Sequence, residues 1–315
     1  MIGQRIIEIL QEEVARDLSI AFLPYKYSMW DCMESVYLSA QRLGLDTGII
    51  PLDYQIMPEG TWVNESESFP QPTGTFEDLK NSNYDVLVIH YPYDGCNNVT
   101  KLHPSQWTEE LKQYGKVCYI PYHGNIAGTE WSRFYRMPGA RNCDMIVLGS
   151  DRDVEVFKNE NPKYPGKIIQ VSDSPKVDAP FIHMYDTRPL EWRFLKRPVT
   201  LIIGTLWTFT HDPVSRIDKH KRIIDQELKA GHSVIYRPHP LVYPAIKVMR
   251  PEIKRMYEEF IDQMREDGVI LDDKPDLHRT IAVSDKIYTD PSSVIKTIQN
   301  LREYEVTNYK QSSTF

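Results

Sequence analysis

Residues 199–204 read V-T-L-I-I-G, an apolar and β-branched run that predicts a strand buried on both faces. A helical pattern follows, in which Asp212 and Pro213 give a helix start and Gly231 gives its end. The next apolar run, S-V-I-Y at residues 233–236, predicts a second strand. Strand, helix and strand in this order indicate two parallel strands joined by a crossover helix.

The same alternation runs along the whole chain, which predicts an α/β fold with parallel sheets covered by helices. Further strands are predicted at residues 19–23, 85–90, 117–120, 145–148, 167–171, 269–271 and 286–288. Ser28 and Asp31 have the spacing of a capping box and predict a helix that begins there. The segment from Asp53 to Asn83, rich in Pro, Gly, Glu and Ser, is predicted to be an exposed loop region.

The segment 172–198 interrupts this pattern, because it holds four prolines and shows no sustained period. We therefore predict two domains, residues 1–178 and 179–315, each a doubly wound Rossmann-like unit. The 315 residues, 41% of them hydrophobic, are enough for two cores. Two such domains are expected to face a cleft at the carboxyl ends of their strands, where sheets of this kind bind ligands.

Composition argues against several classes of partner. The formal net charge of −7 disfavours nucleic acid and anionic lipid, since both are polyanions. The apolar runs are far shorter than the roughly 20 residues that cross a bilayer, and the acidic first helix is unlike a signal peptide. We predict a cytoplasmic protein. The four cysteines are predicted to be reduced, and the histidines share no spacing that indicates a metal site.

Polar residues follow two of the predicted strands of the second domain. In Y-R-P-H-P, residues 236–240, Arg237 and His239 offer donors suited to a diphosphate. In T-D-P-S-S, residues 289–293, Asp290 would cap a helix whose first turn holds Ser292 and Ser293 and favours an anion. The alternatives are that Arg237 pairs with a carboxylate, and that T-D-P-S-S is an ordinary helix start.

A third motif, Y-H-G-N at residues 122–125, follows a predicted strand of the first domain. His123 is the candidate general base, and Gly124 and Asn125 are candidate cleft residues. A histidine in a loop is also often structural. Further candidate cleft residues are Lys26, Asp94 and Lys176; the alternatives are helix capping for Lys26 and an aromatic and proline turn for Asp94.

Taken in order, Y-H-G-N, S-P-K-V-D (174–178), Y-R-P-H-P and T-D-P-S-S resemble motifs of the CDP-glycerol:poly(glycerol phosphate) glycerophosphotransferase family, over residues 19–294. The resemblance implies a GT-B-type fold and a CDP-glycerol or related CDP-alditol donor. It also implies transfer of the alditol phosphate to a polymer or lipid-linked hydroxyl at the inner face of the cell membrane, in teichoic-acid or capsule synthesis. Peripheral membrane contact is expected on this ground alone.

By this resemblance His123 and His239 are the catalytic residues, and CMP is the leaving group. Arg237, His239 and the residues Asp290, Ser292 and Ser293 would hold the donor phosphates. The chain departs from the family pattern after Gly124, where the family's lysine is missing, and after Val294, so the second domain is expected to be shorter.

Two other functions fit the same motifs. One is a GT-B glycosyltransferase that uses a nucleotide sugar, because a phosphate clamp does not identify the transferred group. The other is a nucleotide-binding module without turnover, which the missing lysine favours. The sequence leaves the oligomeric state open.

Overall fold

The structure, a computed structural model, describes residues 1–125, 130–179, 182, 192, 194–274, 277–289, 294–295, 298 and 306–308. The chain divides into two compact units, Met1–Ala179 (unit 1) and Pro180–Phe315 (unit 2). Each unit contains a parallel sheet with helices, which confirms the predicted α/β class with two Rossmann-like domains. The family resemblance also implies that residues 1–178 form the acceptor side and that residues 179–315 bind the nucleotide donor, and these two roles stay predictions.

Unit 1 is built on a six-stranded parallel sheet in the order β2-β1-β5-β7-β8-β9. Its strands are β1 (Ile20–Leu23), β2 (Thr47–Ile49), β5 (Val86–Ile89), β7 (Lys116–Tyr119), β8 (Met145–Leu148) and β9 (Lys167–Gln170). Its helices are α1 (Ile2–Glu13), α2 (Glu34–Arg42), α3 (Phe76–Lys80), α4 (Thr108–Leu111), α5 (Pro138–Asn142) and α6 (Asp151–Glu160). Phe22 and Val88 of the sheet share a buried core with Ile6 of α1 and Val36 of α2. Burial of this continuous apolar face holds the sheet and the two helices together.

The segment from Asp53 to Asn83 is not the loop region that its composition predicted. It contains β3 (Tyr54–Ile56), β4 (Thr61–Val63) and α3, and its strands join β6 (Thr100–Leu102) in an antiparallel sheet of order β4-β3-β6. Strands of three residues are too short to show a clear alternation of apolar and polar positions. The prediction therefore rested on composition alone, and it was wrong.

The helix predicted to begin at Ser28 also begins elsewhere. Residues Tyr27–Cys32 form a 3-10 helix, and α2 begins at Glu34 after Met33, which makes no side-chain cap. The tighter 3-10 turn places Trp30 in the core, where its ring meets those of Phe22 and Phe69 at centroid distances of 6.1 and 5.4 Å. Aromatic packing thus overrides the local capping pattern.

Unit 2 has a five-stranded parallel sheet in the order β12-β11-β10-β13-β14. Its strands are β10 (Val199–Gly204), β11 (Ser233–Pro238), β12 (Ile270–Leu271), β13 (Lys286–Thr289) and β14 (Val306–Asn308). Its helices are α7 (Leu206–His211), α8 (Pro213–Lys229), α9 (Val242–Met249), α10 (Lys254–Glu266) and α11 (Leu277–Val283). The helix predicted between Asp212 and Gly231 is confirmed by α8. No helix among the described residues is long and apolar enough to span a membrane.

Glu227 of α8 ties together the starts of two strands in unit 2. Its carboxylate accepts hydrogen bonds from Thr200 of β10 at 2.9 Å and from the ammonium of Lys286 of β13 at 3.1 Å. His232, just before β11, lies with its Nδ1 2.7 Å from the same carboxylate. Burial raises the pKa of Glu227, but hydrogen bonds from His232, Thr200 and Lys286 outweigh it, so the pKa is lowered on balance. The buried carboxylate is therefore a charged anchor.

Candidate functional site

Four polar residues and one glycine follow five strands of the six-stranded sheet in unit 1, each close to the point where the strand ends. They are Lys26 after β1, His90 after β5, His123 after β7, Gly149 after β8 and Asp173 after β9. Because all six strands are parallel, their carboxyl ends lie at one edge of the sheet. This edge is the candidate site of unit 1.

His123 is buried in this edge, and both of its ring nitrogens have partners. Nδ1 lies 3.0 Å from the carbonyl oxygen of Gly124, to which it must donate. Nε2 then accepts from the hydroxyl of Tyr119 at 3.3 Å. The ring stacks on Phe134 at a centroid distance of 5.4 Å. Burial lowers the pKa of His123 to about 4, so the imidazole is neutral at physiological pH.

This arrangement has a chemical consequence for the predicted base. A neutral imidazole has the lone pair that a general base needs, and here that lone pair points to the Tyr119 hydroxyl. A substrate hydroxyl would reach His123 by displacing Tyr119 or by passing a proton through it. The catalytic role of His123 stays a prediction.

A small pocket opens to solvent next to this histidine in the chain, lined in part by Gly124, Asn125, Gly149 and Ser174. The amide of Asn125 donates to Asp173 at 2.9 Å, which fixes one wall. Gly124 has φ +70° and Gly149 touches the backbone of Asp173 and Ser174 so closely that a Cβ would stand 2.7 Å from it. Both glycines are therefore required by geometry. The predicted residues Gly124 and Asn125 thus line one pocket.

The other three predicted cleft residues of unit 1 are engaged in the fold. The Lys26 ammonium donates to Tyr54 at 2.6 Å, and burial lowers the pKa of Lys26. Asp94 accepts from the backbone and hydroxyl of Thr108, the first residue of α4, at 3.1 and 2.9 Å. Asp94 thus anchors the start of α4, whereas the Lys26 side chain does not cap the 3-10 helix that follows it, so its contact differs from the capping named above as its alternative.

Lys176 forms a half-shielded ion pair with Asp31 of the 3-10 helix, with Nζ 3.2 Å from a carboxylate oxygen. The two side chains are 15% and 17% exposed, so the pair lies at the margin of the protein interior. The pair links the segment after β9 to the segment after β1. Lys176 therefore contributes to the shape of the carboxyl edge.

Sequence reasoning did not select His90, Gly149 or Asp173 as site residues. His90 is fully buried, accepts from the backbone N–H of Tyr25 at 2.9 Å, and has its pKa lowered by burial to about 3. Gly149 and Asp173 shape the pocket. Gly149 and Asp173 follow predicted strands and His90 is the last residue of one, so attention to strand ends would have found all three.

In unit 2, Arg237 is committed to a buried network. Its guanidinium pairs with Asp272 and donates to the carbonyl oxygen of Lys274 at 2.6 Å, with Thr280 at 3.5 Å. Arg237 joins the end of β11 to the segment after β12. The structure thus gives Arg237 the carboxylate partner named above as the alternative to a phosphate. Its donor-binding role stays a prediction.

His239 lies just beyond the end of β11 and is held by its backbone. Its N–H donates to the carbonyl oxygen of Gly204 at 2.7 Å, and its Nδ1 accepts from the N–H of Leu241 at 3.1 Å. The second contact places the ring proton of the neutral imidazole on Nε2. Asp290, Ser292 and Ser293 lie outside the described residues, so the second predicted phosphate element has no structural account.

No family model matches the chain, and no curated protein matches it by sequence. Solved structures match its fold. S. aureus MnaA with UDP matches with a TM-score of 0.58 and 12% identity, over 90% of this chain and 77% of that chain. Methanocaldococcus jannaschii UDP-GlcNAc 2-epimerase, in complex with UDP-GlcNAc and UDP, matches with a TM-score of 0.55 and 12% identity, over 88% of this chain and 80% of that chain. Rickettsia bellii UDP-N-acetylglucosamine 2-epimerase matches with a TM-score of 0.52 and 9% identity, over 86% of this chain and 74% of that chain. Likeness at this identity establishes a shared fold of the GT-B type.

The predicted kinship with CDP-glycerol glycerophosphotransferases is wrong, because the matching folds include UDP-N-acetylglucosamine 2-epimerases. The same finding contradicts three predictions that rested on this kinship. They are the CDP-alditol donor, the release of CMP and a place in teichoic-acid or capsule synthesis. The physical reason is that R-P-H-P and T-D-P-S-S are short motifs at the ends of parallel strands. Sheets of this kind collect anion-binding residues there whatever group is transferred.

Proposed function

We propose that this chain is an enzyme that uses a UDP-activated sugar. The observation that carries the proposal is the fold shared with structures solved with UDP or UDP-GlcNAc, over 90% and 88% of this chain. Parallel sheets of this type bind ligands at the carboxyl ends of their strands. Both units place polar side chains there, Asn125 and Asp173 in unit 1 and His239 in unit 2.

In this proposal unit 2 holds the nucleotide, and the segment after β11 is its anchor. His239 has its backbone fixed to Gly204, and the N–H of Leu241 donates to its Nδ1, which places the ring proton of the neutral form on Nε2. A neutral or protonated imidazole donates to a diphosphate oxygen, and a charged donor strengthens that bond. Arg237 supports the loop through Asp272 and Lys274.

The pocket of unit 1 receives the hydroxyl-bearing partner. Its polar lining includes Asn125, whose side-chain amide is held by Asp173, and Ser174, and hydroxyl groups can both donate to and accept from such side chains. The first candidate reaction is glycosyl transfer: the bond from the anomeric carbon to the diphosphate oxygen breaks, the acceptor oxygen forms the new bond to that carbon, and UDP leaves. His123 is the proposed base for the acceptor proton.

Interconversion of UDP-GlcNAc with its C2 epimer is the second candidate, favoured by the names of two matching structures. Epimerisation needs no acceptor and its product is still a UDP-sugar, whereas glycosyl transfer releases UDP. The products therefore distinguish the two reactions.

The test is calorimetric titration of the purified protein with UDP and CDP, followed by incubation with UDP-GlcNAc, with and without a pool of hydroxyl acceptors. We expect UDP to bind at least about tenfold more tightly than CDP. UDP released only with acceptor indicates transfer, and a changed UDP-sugar without acceptor indicates epimerisation. Absence of UDP binding at millimolar concentration would overturn the proposal.

A matched pair of variants checks the pocket. Asn125→Ala removes the amide that holds Asp173 and is expected to reduce turnover while UDP still binds. Asn159→Ala changes an exposed asparagine near the far end of α6 and is expected to leave both unchanged. Equal turnover in the two variants would show that the pocket does not take part in the reaction.

A further inference from the structure

The three-stranded sheet of unit 1 has one face that is anchored to the rest of the unit. Tyr54 of β3 is buried, accepts from Lys26 and donates to Glu65 at 2.6 Å. Leu102 of β6, directly opposite Tyr54, is also buried. This inner face accounts for the apolar positions of the short strands. The side chains on the other face contribute little to the core.

That other face carries a row of three side chains. Gln55 of β3 lies directly opposite Trp62 of β4 on one side and Lys101 of β6 on the other. Residues directly opposite in an antiparallel pair point to the same side of the sheet. The indole of Trp62 is 49% exposed and lies 5.5 Å from the ring of His103, which follows β6. We call Gln55, Trp62, Lys101 and His103 the Trp62 face.

Its hydrogen-bonding groups are mostly donors, and none of its four side chains is acidic. The Nδ1 of His103 accepts from the N–H of Ser105 at 3.3 Å, so the ring proton of the neutral form is on Nε2. Within the described part of the chain no ion pair of Lys101 is found at 4.0 Å or less. The Trp62 face therefore combines a flat aromatic surface with two basic side chains.

We propose that the Trp62 face binds an oligosaccharide that carries carboxylate groups. The C–H face of a pyranose ring stacks on an indole, which has an apolar body and buries a large area at low entropic cost. A carboxylate on the same ring accepts from the Lys101 ammonium and from His103, and such charge-assisted bonds are the stronger kind. The charge of the face thus selects an acidic sugar over a neutral one. This site goes beyond the proposed function and does not depend on it.

The experiment titrates the full chain with tetragalacturonic acid and, separately, with neutral cellotetraose, following tryptophan fluorescence and heat of binding. We expect saturable binding of the acidic tetrasaccharide that weakens with added salt. Trp62→Ala is expected to weaken it by at least about tenfold, and Lys101→Ala by about three- to tenfold. Phe194→Ala, which removes an aromatic ring that is 87% exposed in unit 2, is the control and is expected to have no effect.

Failure to bind tetragalacturonic acid at millimolar concentration would overturn the proposal, as would unchanged binding in Trp62→Ala. Cellotetraose that binds as tightly as the acidic sugar would overturn the charge selection. Circular dichroism of each variant shows whether a loss of binding is a loss of fold. UDP binding, measured on the same samples, reports on the proposed function separately.

Discussion

Arg237 pairs with Asp272 inside unit 2, and the two side chains are only 8% and 1% exposed. Removing one partner of such a pair leaves the other as a buried, uncompensated charge. Arg237→Ala is therefore expected to lower the free energy of unfolding by about 3–5 kcal/mol. Urea unfolding followed by circular dichroism measures this change.

The control for this prediction is Arg255→Ala, which breaks a pair with Glu259 on α10. Those side chains are 91% and 63% exposed, so the loss is expected to be about 0–1 kcal/mol. Similar losses in the two variants would mean that burial does not set the importance of Arg237.

His123 predicts a pH dependence of stability. Its pKa is lowered by burial to about 4 from an ordinary value of 6.5, so the unfolded chain takes up this proton at a higher pH than the folded chain. Stability is thus fully present above pH 6.5 and is lost as the pH falls toward 4. From about pH 7 to pH 5 this histidine alone is expected to cost about 2 kcal/mol.

The measurement is urea unfolding of wild type and His123→Phe across that range. The variant is expected to lose less stability on acidification, because its side chain does not titrate. His211→Gln, which changes an exposed histidine, serves as the control. An identical pH dependence in wild type and His123→Phe would show that His123 is already protonated or exposed in the folded chain.

Gly149→Ala is expected to close the pocket of unit 1. The added Cβ would stand 2.2 Å from the amide oxygen of Asn125 and 2.7 Å from the backbone of Ser174. Such overpacking costs about 1–3 kcal/mol. Thermal unfolding and the turnover assay are expected to change together. Gly74→Ala, whose Cβ would meet its nearest neighbour at an ordinary 3.4 Å, is the matched control.

Gly124→Ala tests backbone strain without a clash. With φ +70° the residue is in the left-handed region, but its nearest neighbour would be 3.7 Å from a new Cβ. The expected loss of stability is about 1–2 kcal/mol, and Gly124→Asn is expected to lose less, since asparagine tolerates this region better. Equal losses for alanine and asparagine would contradict the strain argument.

The parallel sheets are readily predicted because each strand carries its own signal. Runs such as M-I-V-L at 145–148 and V-T-L-I-I-G at 199–204 match β8 and β10 without a shift of boundary. Strands buried on both faces read as continuous apolar runs, which few loops imitate. The antiparallel strands around Tyr54 and Trp62 were missed because their three residues leave no room for a pattern.

The site is predicted less well than the fold, for a reason seen in Arg237 and Lys26. Sequence places both after strands, whereas the structure has Lys26 after β1 and Arg237 within the last residues of β11. Whether a cation there meets a ligand or a neighbour depends on residues distant in sequence, Asp272 for Arg237 and Glu65 for Lys26. A motif at a strand end also does not identify the group that an enzyme transfers, because one fold supports many reactions.

In unit 2 the amino ends of the strands are tied together by Glu227, through Thr200 and Lys286, whereas the loop from Pro238 to Leu241 follows the opposite end of β11. If the proposed function holds, the anchoring edge and the ligand-binding edge are opposite edges of one sheet. Loops at the ligand-binding edge can then be replaced without losing the contacts that Glu227 makes at the opposite edge. The architecture is accordingly suited to evolutionary and engineered change of substrate preference, one loop at a time.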